Sequence, residues 1–383
     1  VHGTITSGFR VEWRPLADLA SVAAEWRALA ARALEPNVFY EPAFALAAAP
    51  AFGRDAGAGL VWSAEAPRRL VGFFPARIER HRYGIVLPVL VGWTHPFAPL
   101  GTPLVDREAP AAVIAAWFDH LASHPDLPSL VLLPYCPVQG PLAVALDSVL
   151  AARGGKAVDF ARHQRALLAP EDARGGYLDR ALGHKKRKEL RRQRKRLGDA
   201  GVVTRGSASD PVAVADALGD FLRLEAGGWK GRAGTAAGAD GDIARFLETA
   251  AADLAAEGKA RIERLLVDAR AVAAIVMLRS GTTAWCWKIA YDESFARASP
   301  GVQLLTDVTE MLLDDSTIAR ADSCATEGHP MIDHVWRERV VLAERLISVR
   351  TGGSFAFALA CKLEALRHAG VAAAKTARDL LRR

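Results

Sequence analysis

What this 383-residue chain lacks narrows the field first. Its four cysteines, Cys136, Cys286, Cys324 and Cys361, lie far apart and form no C-x-x-C pair, which excludes a zinc ribbon, a redox motif and a disulfide scaffold. A reducing cytoplasm suits that usage. No H-E-x-x-H or similar ligand spacing occurs, so no metal is expected. Nor is there an uninterrupted apolar run of the roughly 18 residues that a spanning helix needs. The longest uncharged stretch, Tyr83 to Val105, is broken by Pro88, Pro96, Pro99 and Pro103. Charge is also missing from most of the surface. The formal net charge is +6, but Lys185 to Arg196 alone holds nine basic residues against one Glu, a local +8 that leaves the remainder at −2. That basic stretch contains no aromatic residue, which disfavours nucleic acid. A solvated helix face is the default reading; an anionic membrane surface or an acyl carrier is the preferred partner.

What is present is an ordinary globular composition, 51% hydrophobic and 24% charged, over a length that suits two or three domains. Strand signals at Phe9 to Arg14, Gly59 to Ser63, Arg69 to Glu79, Gly84 to Trp93, Leu130 to Pro134 and Lys156 to Phe160 alternate with helical ones. The helices fall at Leu16 to Leu34, Glu41 to Ala49, Ala109 to Ala122 and Pro141 to Ala152. The order is βααβββαβαβ. After the basic stretch it returns. A strand at Gly201 to Gly206 and helices at Pro211 to Ala226 and Asp242 to Glu257 lead to strands at Arg261 to Val267, Ala271 to Arg279 and Thr282 to Tyr291. Then come a helix at Val302 to Leu313, a strand at Ala319 to Ala325, a helix around Asp333 to Glu344 and a strand at Leu346 to Arg350. Two copies of one order, about 190 residues apart, imply an internal duplication. The expected layout is residues 1–176, a basic linker helix over 177–200, a second copy over 201–352 and an Ala-rich helical tail over 353–383. That tail, with Lys375 and Arg378, suits core packing or a membrane surface.

The richest stretch is 261–336. Alternation along Thr282 to Tyr291 puts Trp285, Trp287, Ile289 and Tyr291 on one face and Cys286, Lys288 and Ala290 on the other. Ser299-Pro300-Gly301 follows, with Ser299 suited to an N-cap, Pro300 to the first helical position, and Gly301 leaving the first-turn amides open to an anion. Trp229 to Asp240 reads as a Gly/Ala loop that stands over its surroundings as a lid. In the first copy the matching turn, Thr94 to Gly101, is Pro-rich and forms no phosphate cradle, so that copy shapes the acceptor side.

The segments Trp285-Cys286-Trp287-Lys288-Ile289-Ala290-Tyr291-Asp292, Ser299-Pro300-Gly301-Val302-Gln303-Leu304-Leu305 and His329-Pro330-Met331-Ile332-Asp333-His334-Val335-Trp336 resemble the double-GNAT bacterial acyltransferases. These include members associated with cellulose biosynthesis and are related in fold to Fem-type aminoacyl transferases. Where many relatives carry D-F-G-x-G…Y-K, this chain reads Asp322-Ser323-Cys324-Ala325-Thr326-Glu327-Gly328-His329. The resemblance implies an α/β fold with mixed sheets, in tandem GNAT-like domains. It also implies acyl transfer from a thioester, acyl-CoA or an acyl carrier, to an amine of an envelope component. The acceptor would be a small amphiphile such as a sphingoid base, or an amino sugar, met in the cytoplasm or peripherally at the inner membrane.

On that reading the amides near Gly301, Val302 and Gln303, with Ser299 and Arg297, hold the donor diphosphate, and the pantetheine arm adds to the strand edge at Trp287. His329 is the base, oriented by Asp333 or Glu327, and Lys288 meets the thioester oxygen or a phosphate. Two other readings stand beside this one: Fem-like transfer from aminoacyl-tRNA, and a non-catalytic double-GNAT scaffold of envelope polysaccharide synthesis.

Overall fold

A computed structural model describes residues 4–6, 8–170, 174–352 and 354–381. In chain order the first half forms β1 (Thr4–Thr6), β2 (Phe9–Pro15), α1 (Ala23–Ala31), α2 (Pro42–Phe52), β3 (Ala56–Ser63), β4 (Leu70–Glu79), β5 (Val89–Gly92) and β6 (Leu104–Val105). It continues with α3 (Pro110–Ser123), β7 (Leu130–Pro137), α4 (Pro141–Arg153) and β8 (Lys156–Leu168). The second half forms α5 (Tyr177–Ala181), α6 (His184–Gly198), β9 (Val203–Ala208), α7 (Pro211–Gly227), α8 (Trp229–Arg232), α9 (Gly241–Ala256), β10 (Ala260–Val267) and β11 (Arg270–Ser280). After these come β12 (Thr283–Tyr291), α10 (Pro300–Asp314), β13 (Arg320–Asp322), β14 (Glu338–Ser348) and α11 (Phe355–Leu381).

Contacts divide the chain differently from sequence order. One unit comprises Val1–Pro42, Phe52–His163 and Val341–Arg383; the other comprises Ala43–Ala51 and Gln164–Val340. Where the sequence puts breaks at 176 and 352, packing puts them at 163 and 341. The first unit's strands run β1-β2-β3-β4-β5-β7-β14, with β6 beside β4. The second unit's run β8-β13-β12-β11-β10-β9. Each unit's run of strands therefore includes one from the opposite half of the sequence: Leu342–Ser348 of β14 pairs antiparallel with β7, and Leu167 and Leu168 of β8 pair with β13.

In the first unit a core of Val61, Phe74, Trp117, Leu121, Leu146 and Val149 fills the space between sheet and helices α3 and α4. A second cluster lies beneath α11, where Phe357 and Ala360 cover Val89, Val91, Leu132 and Leu346. The start of α11 is fastened by charge as well. Buried Glu364 accepts from Arg82 at 3.0 and 3.1 Å, from Tyr83 at 2.7 Å and from Arg367 at 2.7 Å, and these donors hold its carboxyl down at about 2. His368 joins Glu344 and Glu364, whose ligand atoms lie within 4.8 Å of one another, but the two arginines already occupy the carboxylates. The side chains of Lys375 and Arg378 lie outside those described.

The expected helix over Asp333 to Glu344 is absent. Residues 326–337 form turns, with Ile332, Val335 and Trp336 buried, and Glu338–Ser348 is one long strand. Val340, Val341 and Ile347 favour a strand, and the partner β7 lies some two hundred residues earlier, beyond the reach of local periodicity. The repeat therefore lacks its last helix in the second half. No helix among the described residues is long and apolar enough to cross a membrane.

Candidate active site

All elements of the site belong to the second unit. Strand β12 runs parallel to β13 only over Thr283 to Trp285; beyond Asp322 the chain turns away, and among the described residues Cys286 to Tyr291 have no strand partner on that side. The gap this leaves is an open strand edge in the interior of a sheet. Asp322 fixes where it opens. Its carboxylate accepts from the Cys324 amide at 2.8 Å and from the Arg165 guanidinium at 2.6 Å, in a pair whose side chains are 9% and 2% exposed. Cys324 stands at φ +53°, the left-handed turn that carries the chain off the sheet.

The opposite edge of β12 carries a bulge. Val276 of β11 pairs with Lys288 and Met277 with Cys286, leaving Trp287 as the extra residue. A bulge of this kind leaves a main-chain amide outside the ladder and re-aims the side chains around it. It overturns the simple alternation expected for β12. Ala284, Cys286, Ile289 and Tyr291 pack with α10, whereas Trp287 makes edge contacts with Phe44 and Phe246. Only the backbone of Trp287 is therefore offered to a ligand. Lys288 is half-buried near Lys230, Glu225 and Cys324; burial and the neighbouring Lys230 lower its ammonium to about 8. Burial pushes the Cys286 thiol up to about 12, which makes it packing rather than a nucleophile.

Helix α10 starts beside the gap. Ser299 occupies the cap position at φ +49° but makes no side-chain cap, a departure from the expectation for it. Pro300 has no amide hydrogen, and the Gln303 amide donates to Ser299 O at 3.1 Å. Among the described residues, the amides of Gly301 and Val302 have no acceptor, so the unpaired donors are two rather than three, and Gly301 is itself buried. The Gln303 side chain is committed as well, donating to Ala298 O at 2.6 Å and accepting from Arg194 at 3.3 Å. A side chain at Gly301 would meet the Met331 methyl at 3.0 Å and the Tyr291 ring at 3.2 Å. Arg297 is exposed in the turn just before the helix.

The loop after β13 holds the remaining candidates. Burial lowers the His329 imidazole below its ordinary value, against an opposing pull from Asp333. Its Nδ1 accepts from the Met331 amide at 3.4 Å. Asp333 accepts from the Gly328 amide at 3.1 Å and pairs with Arg339 at 3.7 Å, while Glu327 accepts from the Gln164 amide at 3.4 Å. Asp333 thus reaches His329 through its charge, and Glu327 braces the start of the unit. The expected lid is a short helix, α8, pinned to the turn before α10: Glu293 accepts from the Trp229 amide and from Arg232, each at 2.7 Å. Trp229 itself is 61% exposed.

Sequence reasoning missed Arg165, Met331 and the bulge. The Arg165–Asp322 pairing and the cover over Gly301 exist only once distant segments meet. A cavity of about 130 Å³ between Met277, Ala284, Met311 and Ile318 opens at the other end of β12 and is not lined by Lys288, Gly301 or His329.

Residues 184–327 match the family model described as an acetyltransferase (GNAT) domain. Among solved structures the chain is similar to FemX, with a TM-score of 0.58 at 10% identity, over 85% of this chain and 95% of that one. It is also similar to the C-terminal domain of a putative lysylphosphatidylglycerol synthetase from Agrobacterium fabrum, with a TM-score of 0.51 at 12% identity over 89% and 94% of the two chains. A conserved protein of unknown function from Bacteroides thetaiotaomicron VPI-5482 gives 0.51 at 12% identity, over 88% and 99%. No curated protein matches. The fold is thus a Fem-related one, and residues 184–327, in the second unit, carry the acetyltransferase (GNAT) domain.

Proposed function

We propose that this protein transfers an acyl group from acyl-CoA to the primary amine of a cell-envelope component, a lipid amine such as a sphingoid base or an amino sugar. The observation that carries the reading is the unpaired edge of β12 past Trp285, bordered by the Trp287 bulge and leading to the amides of Gly301 and Val302, which lack an acceptor. An extended, amide-bearing arm completes such an edge as an added strand. A diphosphate then meets the positive end of α10, with Arg297 beside it.

Attack by the amine on the thioester carbonyl develops negative charge on its oxygen. The Trp287–Lys288 main chain at the bulge and the Lys288 ammonium stabilise that charge. His329 takes the proton the amine sheds, with Asp333 stabilising the imidazolium, and the C–S bond breaks as the C–N bond is completed. The expected pH profile is bell-shaped. Its rising limb lies below the ordinary histidine value as His329 loses its proton, and its falling limb lies near 8 as Lys288 loses its charge. Exposed Phe355, Leu366 and Val371 on α11 support an acceptor met at a lipid surface.

The test is incubation of the protein with acyl-CoA and a panel of sphingoid bases and amino sugars, followed by mass spectrometry of the products. An amide product that disappears in Lys288→Met supports the reading. Absence of any acylated amine, with CoA neither bound nor released, overturns it.

A further inference from the structure

Helix α6 has a divided surface. Leu190, Gln193 and Leu197 are buried, and Arg194 reaches Gln303 and Asp307 of α10 at 3.3 and 3.5 Å, which seats the helix against α10 and the 293–298 turn. Lys185, Lys188, Arg191, Arg192, Lys195 and Arg196 are exposed, and none has an ion-pair partner among the described residues. At about 100° per residue these six fall within an arc of roughly 140°, opposite the buried face, in a row about 17 Å long. Arg297 lies exposed in the adjoining turn.

Six unneutralised cations beside the donor site exceed what the few phosphates of a coenzyme require, and its diphosphate already has the α10 amides. The face has no aromatic residue on which a base could stack. Its leucines are turned inward, so contact with a bilayer would rest on charge alone. What it offers is a straight row of charge at helical spacing, complementary to carboxylates that recur at the same spacing on a partner helix.

We propose that the exposed face of α6 docks an acidic acyl carrier protein, which delivers its thioester on a phosphopantetheine arm into the same β12 gap that admits acyl-CoA, so that the carrier is a second form of the donor. The inference rests on the acyl-transfer reading above and names the macromolecule that presents the donor. The chemistry balances as before: the acyl C–S bond breaks, the amide C–N bond forms, the amine proton passes to the base, and the carrier leaves with its thiol.

The test measures binding of a purified acyl carrier protein charged with a long-chain acyl group, and of the matching acyl-CoA, to the full chain. The proteins compared are wild type, Lys188→Glu/Arg192→Glu/Lys195→Glu and the milder Lys188→Gln/Arg192→Gln. Steering by a charged face commonly alters association by 10-fold or more. We expect salt-sensitive binding of the carrier to wild type, at least tenfold weaker binding to the triple variant, an intermediate loss for the double variant, and acyl-CoA affinity unchanged within about twofold. Carrier binding that is absent from wild type, or equal in the variants, overturns the proposal. So does reversal-sensitive binding of bulk tRNA or phosphatidylglycerol vesicles in the carrier's place. If acyl-CoA binds and the carrier does not, the docking inference fails and acyl transfer stands. If neither binds wild type, the transfer reading fails with it.

Discussion

Helices α3 and α10 occupy corresponding places in the two halves, yet their first turns have different charged neighbours. Before α3 stand Asp106, 2% exposed and paired with Arg32 at 2.5 Å, and Glu108, paired with Arg69 at 3.0 Å. Each carboxylate is thus already held by an arginine there. Before α10 there is Arg297, and Arg194 reaches across from α6. The strands feeding the helices differ as well. In the first unit Leu90 and Val91 of β5 pair in parallel with β7 to within one residue of the strand's end, whereas β12 runs six residues past its last partner. The lesson is that duplicated topology does not duplicate strand pairing or the side chains around a helix start, and on the proposed function these differences select the copy that takes the donor.

The largest effect expected on that comparison comes from Arg165→Ala. It leaves the Asp322 carboxylate buried without its guanidinium, at a cost of about 3–5 kcal/mol, read as a lower urea midpoint with the slope preserved. Next is Lys288→Met, expected to reduce kcat by about 100-fold, as removal of an oxyanion donor does, while leaving donor affinity nearly intact. If turnover survives, the bulge amide alone supports the reaction. In the same assay the wild-type alkaline limb near 8 should vanish from the residual activity.

A paired substitution breaks the comparison more selectively. Gly301→Val crowds Met331 and Tyr291 beside the unpaired amides, so acyl-CoA affinity should fall by roughly tenfold or more. Ala109→Val, at the exposed cap of α3, should leave it unchanged. Equal losses would remove the distinction between the halves.

The smallest effect concerns acid stability of the first unit. His120 is fully buried on α3, neither ring nitrogen has a hydrogen-bond partner among the described residues, and burial lowers its imidazole to about 4. The unfolded chain then binds a proton that the folded one refuses. Stability is full above about 6.5 and declines as pH falls toward 4. His120→Leu should flatten that part of the pH–stability curve without altering its neutral plateau much.

The parts of this fold legible in the sequence are those set by local pattern. β10, β11 and β12 declare themselves through apolar and β-branched runs between turn residues, and α10 through helical spacing behind Pro300 and Gly301. Strand β14 does not, because Glu338, Arg339, Glu344 and Arg345 tolerate a helix until β7 supplies a partner. The bulge at Trp287 is equally silent: it arises from register against β11, and a one-residue slip redistributes every side chain that follows. The site shows the same split. Gly301 and Lys288 are visible from composition and position, whereas the withdrawal of the Gln303 amide and the cover provided by Met331 depend on turns that only packing defines.

Hydrogen exchange at the two helix starts, with and without acyl-CoA, tests the central claim most directly. The account predicts slowed exchange at Gly301 and Val302 on donor binding and no change at Ala111 and Ala112 of α3. Protection at the α3 start, or donor binding that leaves Gly301 and Val302 exchanging as before, would contradict it.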